Sequence, residues 1–434
     1  MKRFIVLGSS FLVLVGSVVV TAHSANKEPR TTNNEQQTTP FRPEAGKFPP
    51  LEKAHAYRGE LVFVDHANRR GSIRVQGSGM FFRNDPHPFA LLPYGIVSYH
   101  GAPADLRDIP LGTVLHVRAF LPPDPKISAV PVLPVDNKSK DANHNRGTGI
   151  APAENHVLLL EDEPSHCQRE CLVWKLKEVD VTRGREGMIV ATREPKQGSD
   201  AKATEEKMTF DAATRAWRGR ERLSIEELIA EDAWPAEGKK SLGGQAVLLG
   251  ITWRPTPDGI FTRFHISDIW LDDAAMQRAA RSQTETHKAF IRSRWMAAWI
   301  DAVEYGKFGR ATITATLFGG MDDSLYADFK KGTSATMNAV ENNLKHTHGA
   351  YGPWHMASRG TLLDVTKAPG NAPLGSSGIQ IQFETDLIIE GIRPGRVVRV
   401  RPGNWPQVQV PREEYLDNNT AEERFPSPAI FPRY

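Results

Sequence analysis

Cysteine is nearly missing: the chain has 2 in 434 residues. That excludes a framework of several disulfides and a four-thiolate zinc site. The two, Cys167 and Cys171, are close enough to form one disulfide in an oxidising compartment. Two free thiols, or a three-ligand metal site completed by His166, are the alternatives, although the spacing matches neither a zinc knuckle nor a haem attachment. An excess of charge is missing too, since 54 Lys and Arg face 51 Asp and Glu for a formal net charge of +3. Without a strong field to draw in phosphate backbones, nucleic acid is not an expected partner. No hydrophobic run after Val20 approaches a membrane-spanning length. Phosphate-cradling and dinucleotide-binding glycine motifs are absent. Ser376-Ser377 follow Gly375 directly, which is not the Gly-x-Ser-x-Gly register of a nucleophile elbow. No cofactor is expected.

What is present begins with the N-terminus. Lys2 and Arg3 precede an uncharged stretch, Phe4 to Val20, followed by small residues at Ala22 and Ser24. A basic start, an apolar stretch and a small-residue cleavage site describe a secretory signal peptide. Cleavage after Ala22 or after Ser24 satisfies the small-residue rule. The alternative is an uncleaved anchor, weakened by Gly8, Ser9, Ser10, Gly16 and Ser17. The expected location is outside the cytoplasm: periplasm, cell envelope or extracellular medium. Membrane contact is expected only through an uncleaved N-terminal segment.

The 35 glycines and 31 prolines call for many turns. Three times a glycine opens an alternating apolar run that a proline stops: Gly112 to Pro122, Gly244 to Pro255 and Gly395 to Pro402. A strand-like segment ending in paired acids follows each run, at His156–Asp162, His265–Asp273 and Val408–Glu414. Such spacing reads as one small β-unit repeated. Before the first two runs lie three strand-like segments and a short helix. In the second copy, Ser224-Ile-Glu-Glu227 is a capping box.

The expected fold is mainly β with one long α-helix, arranged as three tandem barrels. Residues 1–25 are read as signal peptide and 26–55 as a disordered, proline-rich tether. Residues 56–163 form barrel 1, 172–273 barrel 2, 274–305 the connecting helix, 306–415 the third unit and 416–434 a tail. The helix is inferred from Trp295, Met296, Trp299, Ile300 and Val303, at three- and four-residue spacing. Its first half is basic, with Arg278, Arg281, Lys288, Arg292 and Arg294, and reads as a solvated side or a face for acidic polymers.

Strand, strand, strand, short helix, strand, strand is the element order of the oligonucleotide/oligosaccharide-binding (OB) barrel. On that order the chain resembles secreted bacterial proteins of unknown function built from repeated OB-like small β-barrels. The resemblance implies a fold and no activity. The third unit departs from it, with extra residues between its first and later strands.

Chemistry-bearing residues are sparse. His346, His348 and His355 supply three imidazoles for a zinc or copper ion, but in a glycine- and proline-rich loop. Asp322, Asp323 and Asp328 could gather oxygens for calcium without the EF-hand order. The acid pairs Glu161-Asp162, Asp272-Asp273 and Glu413-Glu414 alternate faces on a strand and make poor acid–base partners. Trp217, Trp253, Trp270, Trp354 and Trp405 could stack on sugars but read first as packing residues. The expectation is an exported, non-enzymatic binding or interaction protein of the envelope or exterior. Its partner is unknown, with envelope polysaccharide and protein as the candidate classes. The alternatives are a metal-dependent secreted enzyme using the three histidines and a polysaccharide-binding protein using its tryptophans.

Overall fold

Alternating burial along Ala311–Phe318 shows how these strands arise: Ala311, Ile313, Ala315 and Leu317 face a core while the threonines between them are half-buried. Branched and apolar residues at period two suit a pleated surface with one dry face. The computed structural model describes residues 41–406, apart from 67–68, 76–85, 121–129, 132–149, 152–153, 183–184, 197–202, 257–261, 340–356, 369 and 387–391. The described chain is mainly β, and its strands close into barrels.

Barrel 1 uses β1 (His55–Asp65), β2 (Arg70–Val75), β3 (His87–Tyr99), β4 (Val114–Phe120) and β5 (Asn155–Asp162). Around the ring the order is β1-β2-β3-β5-β4, with β4 returning to β1; only β3 and β5 run parallel. Helix α1 (Glu163–Arg169) follows. Barrel 2 repeats that order with β6 (Leu172–Thr182), β7 (Glu186–Pro195), β8 (Thr204–Phe210), β9 (Gly238–Pro255) and β10 (Thr262–Trp270). Its β8 and β10 meet in parallel at Thr209 opposite His265. Helix α2 (Ile225–Ala230) precedes β9, and Ser224 and Glu227 form the expected capping box.

The connecting helix is shorter than its periodicity suggests. Helix α3 covers Asp273–Arg294, and β11 (Met296–Tyr305) occupies what the spacing assigned to a helix. Met296, Ala298 and Ile300 face the third barrel's core, while Ala297 and Trp299 face an aromatic cluster shared with barrel 1. A strand buried on both faces reads as a continuous apolar run, which a helical template also fits. Trp295, at φ 67°, separates the two elements.

The third unit also differs from the expected five-stranded plan. After β11 come β12 (Ala311–Phe318), α4 (Asp323–Tyr326), β13 (Ser334–Ala339), β14 (Ala357–Lys367), β15 (Ser376–Thr385) and β16 (Val397–Pro402). They close as β11-β12-β15-β14-β13-β16, six strands with every pair antiparallel. The residues noted as extra between its first and later strands include the β13–β14 hairpin, which bridges β15 and β16. The expected closing strand, Val408–Glu414, lies outside the described residues.

The glycine-led runs have a common physical reason. Gly112, Gly244 and Gly395 have φ of 89°, 74° and 75°, a left-handed turn that favours glycine. Gly112 N donates to Leu61 O and Gly395 N to Ile300 O, both at 2.8 Å, while Gln245, beside Gly244, pairs with Leu176. Leu61, Leu176 and Ile300 are buried, and each first strand carries a bulge immediately after them. A bulge increases local twist, as a small closed barrel requires.

Part of the expected tether is packed rather than solvated. Phe48 and Leu51 lie against the cluster of Leu92, Tyr94, Trp299 and Phe318 between barrels 1 and 3, and Phe41 lies 5.3 Å from the Phe120 ring. Proline-rich composition hid these few aromatic anchors. Residues 1–40, including the expected signal peptide, and the tail 416–434 lie outside the described residues.

Candidate functional site

Two junctions between barrels concentrate the ionisable side chains. At the first, the sequence Asp162-Glu-Pro-Ser165 ends β5 and starts α1: Asp162 caps the helix by accepting from Ser165 N, and proline suits the first turn. That turn places Glu163 fully inside the contact between barrels 1 and 2. Its Oε2 accepts from Arg58 Nη2 at 3.0 Å and His116 Nε2 at 2.7 Å. Its Oε1 accepts from Trp174 Nε1 at 3.0 Å and Arg193 Nη1 at 2.9 Å. Burial raises the cost of the charge, but Arg58, His116 and Arg193 together hold the carboxyl well below its usual range.

His116 is held neutral, its pKa lowered to about 4 chiefly by burial, against the pull of Glu163. A neutral ring donating to an ionised carboxylate accounts for both directions. Arg58 also binds Glu206 of β8 at 2.7 Å, and its guanidinium sits 4.3 Å from the Phe264 ring centre. A backbone bridge, Thr113 to Thr252, joins the same two barrels. Both oxygens of Glu163 are engaged, while Arg58 Nε and Glu206 Oε2 stay buried without a hydrogen-bond partner, so this junction is chemically a clamp around Glu163.

The second junction leaves donors over. Barrel 1, α3 and barrel 3 line a partly open cavity of about 90 Å³. Arg69 reaches it from the turn before β2, Arg294 from the end of α3 and Arg399 from β16, with Asp105 the one acid among the described residues on its wall. Arg69 is pinned by donating from Nη1 to Pro93 O at 2.8 Å and from Nη2 to Gly95 O at 3.0 Å. Arg399 Nη1 donates to Arg294 O, covering a carbonyl at the α3 C-terminus. Arg69 Nε, Tyr94 Oη and His287 Nδ1 are buried on this wall without a hydrogen-bond partner. His287 is 4% exposed, and burial lowers its pKa to about 4. Burial likewise lowers the pKa of Arg69 and raises that of Asp105.

Backbone strain falls at the same place. Arg69 and Trp295, at φ 55° and 67°, are two of the six described non-glycine residues with positive φ, and both line the cavity. The opposite wall is the Gly319-Gly320 turn. Gly320 sits at φ 79°, and a Cβ there would lie 2.7 Å from Ile96 Cγ1.

The residues singled out in the sequence fare differently. His346, His348 and His355 lie outside the described residues, as do Glu413, Glu414 and Trp354. Among the described residues no three His, Cys, Asp or Glu side chains are grouped closely enough to hold a metal ion. Cys167 and Cys171 are free rather than bridged: Cys167 is buried with Sγ 3.6 Å from Glu163 Oε1, and Cys171 is exposed. One lies inside the clamp while the other leaves the helix at φ 54°, so closeness in sequence does not become sulfur contact. His166 stacks on His116 at 3.6 Å and faces Glu161.

The aspartates serve as helix caps and anchors. Asp322 caps α4, and Asp328 accepts from Trp405 Nε1 at 2.8 Å and from Arg292. Asp272 caps α3 and also accepts from Gly219 N. Trp270 and Trp405 are buried, while Trp217 and Trp253 pack partly buried against the barrel 2 core. The basic half of α3 is partly engaged, with Arg278 donating to Arg220 O and Lys288 pairing with Glu285. Sequence reading missed Glu163, Arg69, Arg399 and His287. Only Glu163 had a local signal, the Asp-x-Pro-Ser helix start. Comparison with protein-family models, with curated proteins and with solved structures gives no match to this chain.

Proposed function

We propose that this is an exported, non-enzymatic binding protein of the cell envelope or exterior, assembled from OB-like barrels. In this reading the first two barrels are OB-like copies, and the third is a barrel-like copy extended by the β13–β14 hairpin. Support for the copies comes from the shared ring order of barrels 1 and 2 and from the glycine-led contact present in all three. Support for export comes from the leader-like start of the sequence.

The observation that carries the binding reading is the contrast between the two junctions. At the clamp both oxygens of Glu163 are engaged, and Arg58 Nε and Glu206 Oε2 are left over inside the contact, whereas at the cavity Arg69 Nε, Tyr94 Oη and His287 Nδ1 lack partners beside space that a ligand can enter. Buried polar atoms ordinarily find partners, and those without one mark a place where a ligand or water completes the bonding. A clamp that holds the barrels in register would keep the cavity's shape fixed for its ligand.

Purified mature protein incubated with ester, glycoside and phosphate-ester substrates tests the reading. Catalytic turnover of any of them contradicts it. The intact mass of protein secreted from its native host tests export, with an N-terminus at His23 or Ala25 expected.

A further inference from the structure

We propose that the cavity between barrel 1, α3 and barrel 3 binds a small tetrahedral oxyanion, a phosphate group either free or at the end of a larger ligand. This rests on the binding reading and adds the chemical class of the ligand.

Three arginines, Arg69, Arg294 and Arg399, line it, with Asp105 the one acid among the described lining residues. They come from separate elements, so local sequence does not account for their meeting. Arg69 cannot swing out to solvent without giving up its bonds to Pro93 O and Gly95 O. Its buried Nε is left as a fixed donor. Tyr94, 1% exposed, and His287, 4% exposed, bring an unpartnered hydroxyl and ring nitrogen to the same wall. Arginine and hydroxyl donors are suited to an acceptor with several oxygens, and charge-assisted bonds of this kind are the strong ones.

The space fits as well. One water needs about 10–15 Å³ of such space, so the cavity has room for a group of a few heavy atoms. Apolar walls at Phe318 and Ile291 lower the local dielectric and strengthen each interaction within. One feature opposes an anion, the negative end of the α3 dipole, worth roughly half a charge. Arg399 covers one of its carbonyls, which lessens that opposition.

The test is thermal unfolding and calorimetric titration of the mature protein with inorganic phosphate, at constant ionic strength set with chloride. The expected result is saturable, one-to-one binding with a raised melting temperature. His287→Phe, which keeps a ring in place and removes the unpartnered nitrogen, should weaken binding several-fold without phosphate-free unfolding. Arg69→Lys, which keeps the charge but loses the fork, should weaken it by about tenfold. If Arg69→Lys does not fold, His287→Phe and Tyr94→Phe carry the comparison.

Glycerol phosphate in place of inorganic phosphate separates the two sources: tighter binding of the ester assigns the site to a terminal group, tighter binding of the free ion to phosphate itself. Wild type indifferent to both, or variants responding as wild type does, overturns the oxyanion assignment. Stabilisation by a neutral glycan instead would leave the binding reading standing while removing the oxyanion. Hydrolysis of glycerol phosphate would keep the site and overturn the non-enzymatic reading.

Discussion

Arg58 and Glu163 meet at 3.0 Å across the contact between barrels 1 and 2, the arginine on β1 and the glutamate in the first turn of α1. Neither is free to relax into water, since the glutamate side chain is fully buried and the arginine side chain only 11% exposed. Removing one partner of a buried pair strands the other, which costs more than the pair itself contributes.

Glu163→Gln is therefore expected to destabilise the protein by about 3–5 kcal/mol. The amide keeps the shape but turns a donor toward Arg58, His116, Trp174 or Arg193, all of which donate to this residue. Urea unfolding of both proteins at neutral pH reads the difference.

Acid should weaken the fold between pH 6.5 and about pH 4. His100, His116, His265 and His287 all have pKa values lowered to about 4, in each case mainly by burial. The unfolded chain takes up these protons below 6.5 while the folded one resists, so their stabilisation is present above 6.5 and lost as pH falls toward 4. Asp162 has the opposite sign: burial raises its pKa to about 7, so its contribution is present below 3.8 and lost as pH rises through 7. Asp105 and Glu154, also raised by burial, act in the same sense as Asp162, while His156, lowered by burial, joins the other four histidines, so five histidines oppose three carboxyls. Unfolding midpoints should rise from pH 4.5 to 6.5, each group contributing at most about 1.4 kcal/mol per pH unit.

Much of the architecture is legible in the residues and much of the junctions is not. The glycines at 112, 244 and 395 announce their turns because a left-handed backbone narrows the choice of residue. Ser224 and Glu227 announce a helix start because caps are local. Trp295 to Val303 misleads because β11 is buried on both faces, so its apolar run lacks the alternation that distinguishes a strand. Arg69, His287 and Arg399 lie far apart in sequence and come together only when the barrels dock. No spacing rule anticipates a contact that depends on three closed sheets.

Gly320→Ala should lower stability by about 1–3 kcal/mol, through both its left-handed φ and its approach to Ile96. Combined with Ile96→Ala it should cost less than the two single changes added together, because alanine removes both γ carbons and Cδ1, the three atoms closest to the new Cβ. A double-mutant cycle on thermal unfolding measures the difference. Strict additivity would mean that the two residues do not touch.

One cysteine should alkylate in the native state and two in denaturant. Cys171 is exposed, whereas Cys167 is fully buried and its thiol pKa is raised well above the usual value by burial and by Glu163. Intact mass after iodoacetamide treatment, without reductant, counts them. A native mass lacking both adducts and two hydrogens would mean a disulfide.

The proposal that separate barrels are clamped into one body with a fixed cavity is tested most directly by scanning calorimetry of the mature protein. The barrels lie in one compact unit, with the Glu163 clamp joining barrel 1 to barrel 2 and the Tyr94–Trp299–Phe318 cluster joining barrel 1 to barrel 3. A single transition is expected, with calorimetric and van't Hoff enthalpies equal. Two or three resolved transitions, with one barrel melting alone, would contradict the account.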